Sequence, residues 1–267
     1  VKEMTMRLAT RSACALLGVV SACAGDLPAY NEVHGLRVLA VSATPPWVPA
    51  GQPSALATLV AGAEDATYRW RWCPVPTRAD DGHACPLEAQ ADLPSLALGE
   101  GPEAKLPAFT QDALRRLCAL QGQATCEAAE VEIALTVAAA GDQIEARRTV
   151  TLMAASEPGP TNPEIVEVEL RTEALQTALS TAGLALPASA EAQLRLEAAG
   201  ATEGAMTVSW FVTGGELAFA RTRPEPTGPE NTWTLPDQPG LARLYVVLRT
   251  AEGGTTWRTF EVEVEAP

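Results

Sequence analysis

Apolar and polar positions alternate with period two in several stretches of this chain. Ala66 to Cys73 is the clearest, with Tyr68, Trp70 and Trp72 on one face and Arg69 and Arg71 on the other. Such alternation, rich in aromatic residues, predicts a half-buried strand. Leu36 to Ser42 and Ser54 to Ala61 read as strands on either side of a proline- and glycine-broken turn, Thr44 to Gly51. Short strands are expected near Ser95–Leu98 and Ala104–Phe109, beyond a proline-containing loop from Pro74 to Pro94. Glu130 to Ala138 points Val131, Ile133, Leu135 and Val137 inward. Gly141-Asp142 then turns the chain into Gln143 to Met153, which completes a hairpin. A helical period appears once clearly, at Thr110 to Leu120. Thr110 caps it, Asp112 suits its positive end, and Leu114, Leu117 and Cys118 share a side.

Ala154 to Pro163 has three prolines, a glycine and no apolar period, which predicts a semi-rigid linker. Beyond it the plan repeats. Ile165 to Leu170 alternates Val166, Val168 and Leu170 against Glu167 and Glu169. Thr172 to Leu186 is ambiguous: Leu175 and Leu179 suit a helical turn that Gly183 and Pro187 would stop. Glu191 to Ala198, Met206 to Val212 and Asn231 to Leu235 read as strands, and Leu244–Thr250 with Thr255–Glu265 form a closing hairpin around Gly253-Gly254. A tryptophan strand in mid-module followed by a terminal hairpin therefore occurs twice. The expected fold is all-β: two tandem antiparallel sandwiches, with one short helix inserted in the first.

Trp70, Trp210 and the hairpin Tyr245 to Gly254 resemble the core tryptophan and last hairpin of immunoglobulin-like or PKD-like modules. That resemblance implies Ig-like sandwiches over 36–153 and 165–267, joined by the Pro-rich linker 154–164. No cysteine pair flanks Trp70 as in antibody domains, and the second module has no cysteine. A shared fold carries no function across.

The chain's beginning sets its destination. Met6 to Arg11 is short and basic, and Ser12 to Val20 is apolar but too short to span a bilayer. The expectation is a signal peptide over 1–22, with Met6 as the true start. Val20-Ser21-Ala22-Cys23 resembles the lipobox of bacterial lipoproteins. The resemblance implies cleavage before Cys23, diacylglycerol on its sulfur and an acylated amino terminus. Ala24, where Asp would mark inner-membrane retention in enteric lipoproteins, implies an outer-membrane address within the cell envelope. Residues 23–35 form the lipidated N-terminus and a polar tether, which places the first module close to the membrane.

Charge and cysteine arithmetic refine this picture. Lys2, Arg7 and Arg11 against Glu3 give the first 22 residues a net +2, so the −14 of the whole chain leaves −16 after them. Such acidity excludes nucleic acid as a partner and offers no basic patch to help the lipid hold an anionic surface. The lipid on Cys23 is then the expected sole membrane contact. With Cys14 removed and Cys23 lipidated, Cys73, Cys85, Cys118 and Cys126 remain. In an exported domain four cysteines predict two disulfides. Three pairings are possible, and the short spacings favour Cys73–Cys85 and Cys118–Cys126. No C-x-x-C pair supports a metal site.

Catalytic signals are absent from the sequence. His34 and His83 have no ligand or base partner at useful spacing, and there is no G-x-S-x-G elbow or phosphate loop. Asp80-Asp81-Gly82 lacks the further ligands of a calcium loop. The carboxylate rows Glu167/Glu169 and Glu261/Glu263/Glu265 read as solvent faces that discourage edge pairing. Trp47 and Trp233 are the aromatic residues least explained by a core, and so are possible binding residues for a sugar or protein. The function expected is a non-catalytic, lipid-anchored binding or structural module of the envelope. It needs no cofactor, and its partner is an envelope or extracellular protein or a glycan. The alternatives are a carbohydrate-binding accessory module for a separate enzyme, and a hydrolase with an unrecognised carboxylate site.

Overall fold

A computed structural model describes residues 29–77, 85, 95–155, 159–180, 183–200, 206–223 and 230–266. Cys23, the signal region, Asp80-Asp81-Gly82 and His83 lie outside them. The first set of strands is β1 (Arg37–Thr44), β2 (Trp47–Pro49), β3 (Ser54–Ala61), β4 (Thr67–Cys73), β5 (Ala97–Glu100), β6 (Glu103–Leu106), β7 (Ala128–Ala139) and β8 (Asp142–Met153). Helix α1 (Gln111–Leu120) lies between β6 and β7. The second set is β9 (Glu164–Arg171), β10 (Gln176–Ala178), β11 (Leu184–Pro187), β12 (Glu191–Ala199), β13 (Met206–Val212), β14 (Glu216–Leu217), β15 (Arg221–Thr222), β16 (Glu230–Thr234), β17 (Gly240–Thr250) and β18 (Thr255–Glu265).

Each set builds a sandwich of two sheets. In the first, β1-β3-β6 faces β2-β8-β7-β4-β5. In the second, β10-β9-β12-β16-β14 faces β11-β18-β17-β13-β15. The duplication is exact in one sheet's plan. A short early strand, the last strand, the penultimate strand, the tryptophan strand and a short edge strand follow one another in both. Trp70 on β4 and Trp210 on β13 hold equivalent places and are fully buried. Each indole finds an acceptor, Gly101 O at 2.8 Å for Trp70 and Thr222 Oγ1 at 2.9 Å for Trp210, so the large ring is buried without stranding its N–H. The fold is two tandem immunoglobulin-like β-sandwiches with one helix in the first.

The pairing is mostly antiparallel, with one parallel edge in each module. β2 runs parallel to β8, and β11 parallel to β18. The second pairing resolves part of a stretch whose pattern is ambiguous in the sequence. Leu184–Pro187 is extended, because its backbone groups complete the ladder beside β18. Gln176–Ala178 likewise pairs with β9. Thr172 to Leu186 therefore supplies two edge strands, and no helical turn among its described residues. The acidic rows do not guard edges either, since β9 and β18 are each paired on both sides.

A second correction concerns β9. Glu197 pairs with Glu167 and Ala198 with Ile165, so Val166 is an extra residue in the ladder. The bulge turns Ile165 into the core and leaves Val166 43% exposed. Simple alternation had placed Val166 inside.

Helix α1 forms where its cap and apolar side predict. Thr110 Oγ1 accepts from Ala113 N at 3.1 Å, and Ala113, Leu114, Leu117 and Cys118 are buried. Two disulfides are present, Cys73–Cys85 and Cys118–Cys126, with Cα separations of 5.7 and 5.6 Å. The second ties the end of α1 to the entry of β7. Closing so short a loop is worth about 2–3 kcal/mol through the unfolded chain. Cys118→Ala with Cys126→Ala is therefore expected to lower the urea unfolding free energy by about that amount. Reductant should then cause little further loss from this loop.

Candidate functional site at the module junction

Two features stand out beyond the separate cores: a buried junction between modules and an open groove on the second. The junction starts from sequence. β13 reads Met-Thr-Val-Ser-Trp-Phe-Val and β17 contains Leu-Tyr-Val-Val-Leu, both nearly unbroken apolar runs. A strand buried on one face alternates, whereas a strand buried on both faces does not. Here Val208, Trp210 and Val212 fill the core, and Phe211, Tyr245 and Val247 are buried on the outer face. Their cover comes from Leu39, Ala40, Ala61 and Val33. That run of apolar residues was the sequence signal for the junction, although alternation alone did not reveal it.

β1 reaches across through a bulge. Val38 pairs with Val60 and Ala40 with Leu59, which leaves Leu39 unpaired in the ladder. Leu39 and Ala40 are both buried against the second module, and Leu39 O accepts from Arg249 Nη2 at 2.7 Å. Arg249 Nη1 also donates to Ser209 Oγ at 3.1 Å. Arg148 crosses from the other side. It donates to Val41 O in its own module and to Gly253 O and, at 3.0 Å, Thr255 Oγ1 in the other.

Arg148 has no carboxylate partner among the described residues, and its Nε is buried without a hydrogen bond. Burial, with Arg249 nearby, lowers its pKa to about 10. The guanidinium thus stays charged at neutral pH at a cost to the folded state, a cost relieved only above about pH 10.

The linker is part of this joint. Asn162 Nδ2 donates to Ala43 O at 2.9 Å and Thr44 Oγ1 at 2.8 Å, while Thr255 N donates to Asn162 Oδ1 at 2.8 Å.

The end of the tether is also docked, and on the second module. Val33 N donates to Val212 O at 2.8 Å and Val212 N to Asn31 O at 2.9 Å. Glu32 bridges Val212 in parallel, and Asn31 and Val33 are buried. Residues 29–33 therefore do not hang as a polar tether before the first module. Tyr30 lies beside Phe211, their ring centroids 6.0 Å apart. The Arg37 guanidinium sits 4.6 Å from the Tyr30 ring centre and that of Arg221 5.4 Å from it. Partial burial raises the Tyr30 pKa, but Arg221 and Arg37 together outweigh it and the phenol titrates below its ordinary range.

The two tryptophans singled out as possible binding residues belong to the fold. Trp233 is 0% exposed and its Nε1 donates to Gly214 O at 3.1 Å. Gly215, with φ +79°, lets this turn form; a Cβ there would lie 2.2 Å from Thr234 O. A ring with no exposed face offers no stacking platform, so Trp233 is corrected to a core residue. Trp47 is half-buried, and its Nε1 donates across the junction to Glu252 O at 2.8 Å. His34 is exposed and lies 3.0 Å from Glu32.

The buried carboxylate Glu132 and the half-exposed Glu261 are both paired. Glu132 accepts from Arg147 and, at 2.6 Å, from Thr77 Oγ1. Glu261 meets Arg243 Nε at 2.9 Å. Among the described residues no cluster of three or more His, Cys, Asp or Glu is arranged to hold a metal ion. The cavity on the second module is open, about 1150 Å³, and lies between the edges of β10 and β11. Arg171, Thr172, Glu173, Gln176, Glu191 and Gln193 supply its polar lining, with Leu175 and Leu186 beside them. It occupies the lateral edge opposite β14 and β15, where the Tyr30 segment docks.

No protein-family model matches the chain, and no curated protein matches it in sequence. Among solved structures, the D0-D1 domain of intimin is 10% identical, with 86% of this chain and 96% of that one covered at a TM-score of 0.24. Tandem Ig repeats of Dlar, a Drosophila receptor protein tyrosine phosphatase, are 10% identical over 88% of this chain and all of theirs, at 0.31. SGBP-B of the Bacteroides ovatus mixed-linkage glucan utilization locus, in complex with a mixed-linkage heptasaccharide, is 12% identical over 86% of this chain and 48% of its own, at 0.24. The strand pairing, not these superpositions, defines the fold.

Proposed function

We propose that this chain is a lipid-anchored, non-catalytic binding module of the outer membrane. Residues 1–22 are removed, Cys23 carries the lipid, and the modules before and after the 154–164 linker act as one body. The open groove between β10 and β11 carries the binding part of this reading. It lies on the edge away from the docked N-terminal segment, where a partner has access while the anchor is engaged. Its lining of amide, hydroxyl and apolar groups, with the Glu173 and Glu191 carboxylates beside the Arg171 guanidinium, suits a polypeptide segment, which offers hydrogen-bonding, charged and apolar contacts. The carbohydrate reading rests on Trp47, Trp233 and fold analogy; Trp233 is fully buried, and Trp47 is half-buried with its Nε1 bonded across the junction.

The test is a photo-crosslinking residue at Gln193 or Gln176, introduced into the protein in its own cells. A discrete protein adduct is expected from both positions and not from Gln123, which lies on the first module. Adducts absent from both groove positions, with the protein correctly localised, would remove the groove as the binding site.

A further inference from the structure

Where the N-terminal segment docks, two guanidinium groups gather beside exposed aromatic rings, and the one carboxylate of that segment, Glu32, meets His34. Tyr30 is 55% and Phe219 59% exposed, two of the large apolar side chains most open to solvent. Phe219 is not on a loose loop. Its N–H donates to Asn231 Oδ1 at 3.0 Å, and its carbonyl accepts from Asn231 Nδ2 at 2.8 Å. Asn231 is itself buried. Arg221, two residues on, reaches the Tyr30 hydroxyl at 3.3 Å. Arg37 also lies over the Tyr30 ring, 4.6 Å from its centre, and donates to Tyr30 O at 2.6 Å. Neither arginine pairs with a carboxylate among the described residues, in a chain of net charge −14.

Place in the chain adds a constraint. Only Cys23 to Pro28 separate the proposed lipid from Ala29, and six residues reach at most about 22 Å. A lipid on Cys23 therefore holds Tyr30 near the bilayer surface, whatever path those six residues take.

We propose that Tyr30, Arg37, Phe219 and Arg221 form a membrane-facing patch that contacts phospholipid headgroups and sets the orientation of the anchored protein. This rests on lipidation of Cys23, to which it adds a second, protein-borne membrane contact. Guanidinium groups suit phosphate oxygens, and exposed aromatic rings suit the headgroup layer. The rest of the acidic surface is repelled by the same lipids, so the patch and the overall charge turn the molecule the same way. The β10–β11 groove then faces away from the membrane.

The experiment uses the mature lipidated protein in vesicles of phosphatidylglycerol and phosphatidylcholine. An environment-sensitive fluorophore is placed on a cysteine at Ala218, beside Phe219, or at Gln193 in the groove. A blue shift at Ala218, quenched by headgroup spin labels, is expected, with no shift at Gln193. Arg37→Gln with Arg221→Gln should abolish the shift while the protein still floats with the vesicles. High salt should weaken it in the unaltered arginine background, which needs no substitution to fold. Floating protein whose Ala218 probe stays as watery as the Gln193 probe overturns the patch but spares the anchor. Protein that does not float at all overturns the anchor, and the patch with it. A shift at Ala218 that requires added envelope protein assigns the surface to a protein partner and also overturns the proposal.

Discussion

Phe211→Asp is expected to uncouple the two modules without unfolding either. Phe211 is buried on the outer face of the β13 sheet, with Tyr245 and Val247 beside it and Leu39 and Ala40 opposite. A carboxylate there loses the apolar burial of a phenylalanine, about 3–5 kcal/mol in large-to-small series, and adds the cost of desolvating a charge. Each module keeps its own core, built on Trp70 and Trp72 in one and on Trp210 and Trp233 in the other. The strain is therefore relieved by opening the junction. Thermal unfolding of the unaltered protein should be a single transition, split into two by the substitution. Small-angle scattering should show a larger radius of gyration for the variant. A variant that keeps one transition and an unchanged scattering profile would mean that the junction is not held by this cluster.

Cys23→Ser is expected to move the protein almost completely from the membrane to the soluble fraction. Each buried acyl methylene is worth about 0.8 kcal/mol, so loss of two or more chains removes far more than surface contacts supply. Two arginines beside anionic lipid offer about 1 kcal/mol each, too little to hold a protein of this charge on a membrane. The released protein should keep both disulfides and the melting temperature of the anchored form, because the disulfides and both cores are built from residues well after Cys23. Retention on the membrane at physiological salt would show that something other than this lipid anchors the chain.

How much of this was legible in the sequence follows from what alternation reports. Trp70 and Trp72 on one face, the Val131–Val137 series, both hairpins and the Thr110 cap were all readable from local pattern, and each is formed. Ile165 and Val166 were not, because a bulge is one extra residue and resets the parity that alternation depends on. β10 and β11 were missed because short edge strands of three and four residues carry too little pattern to oppose a helical spacing of leucines. The junction was hidden for a different reason. Burial of Ser209, Phe211 and Tyr245 on a second face depends on a module more than a hundred residues away, and so does the docking of Asn31 and Val33. Trp47 and Trp233 looked available because a loop or short strand gives no hint of what will cover it.

The most direct measurement is the mass of the mature N-terminal peptide from protein purified out of its own envelope. The account predicts a chain beginning at Cys23, with diacylglycerol on the sulfur and an acyl group on the amino terminus. A chain that begins elsewhere, or a Cys23 recovered as a free thiol, would contradict it.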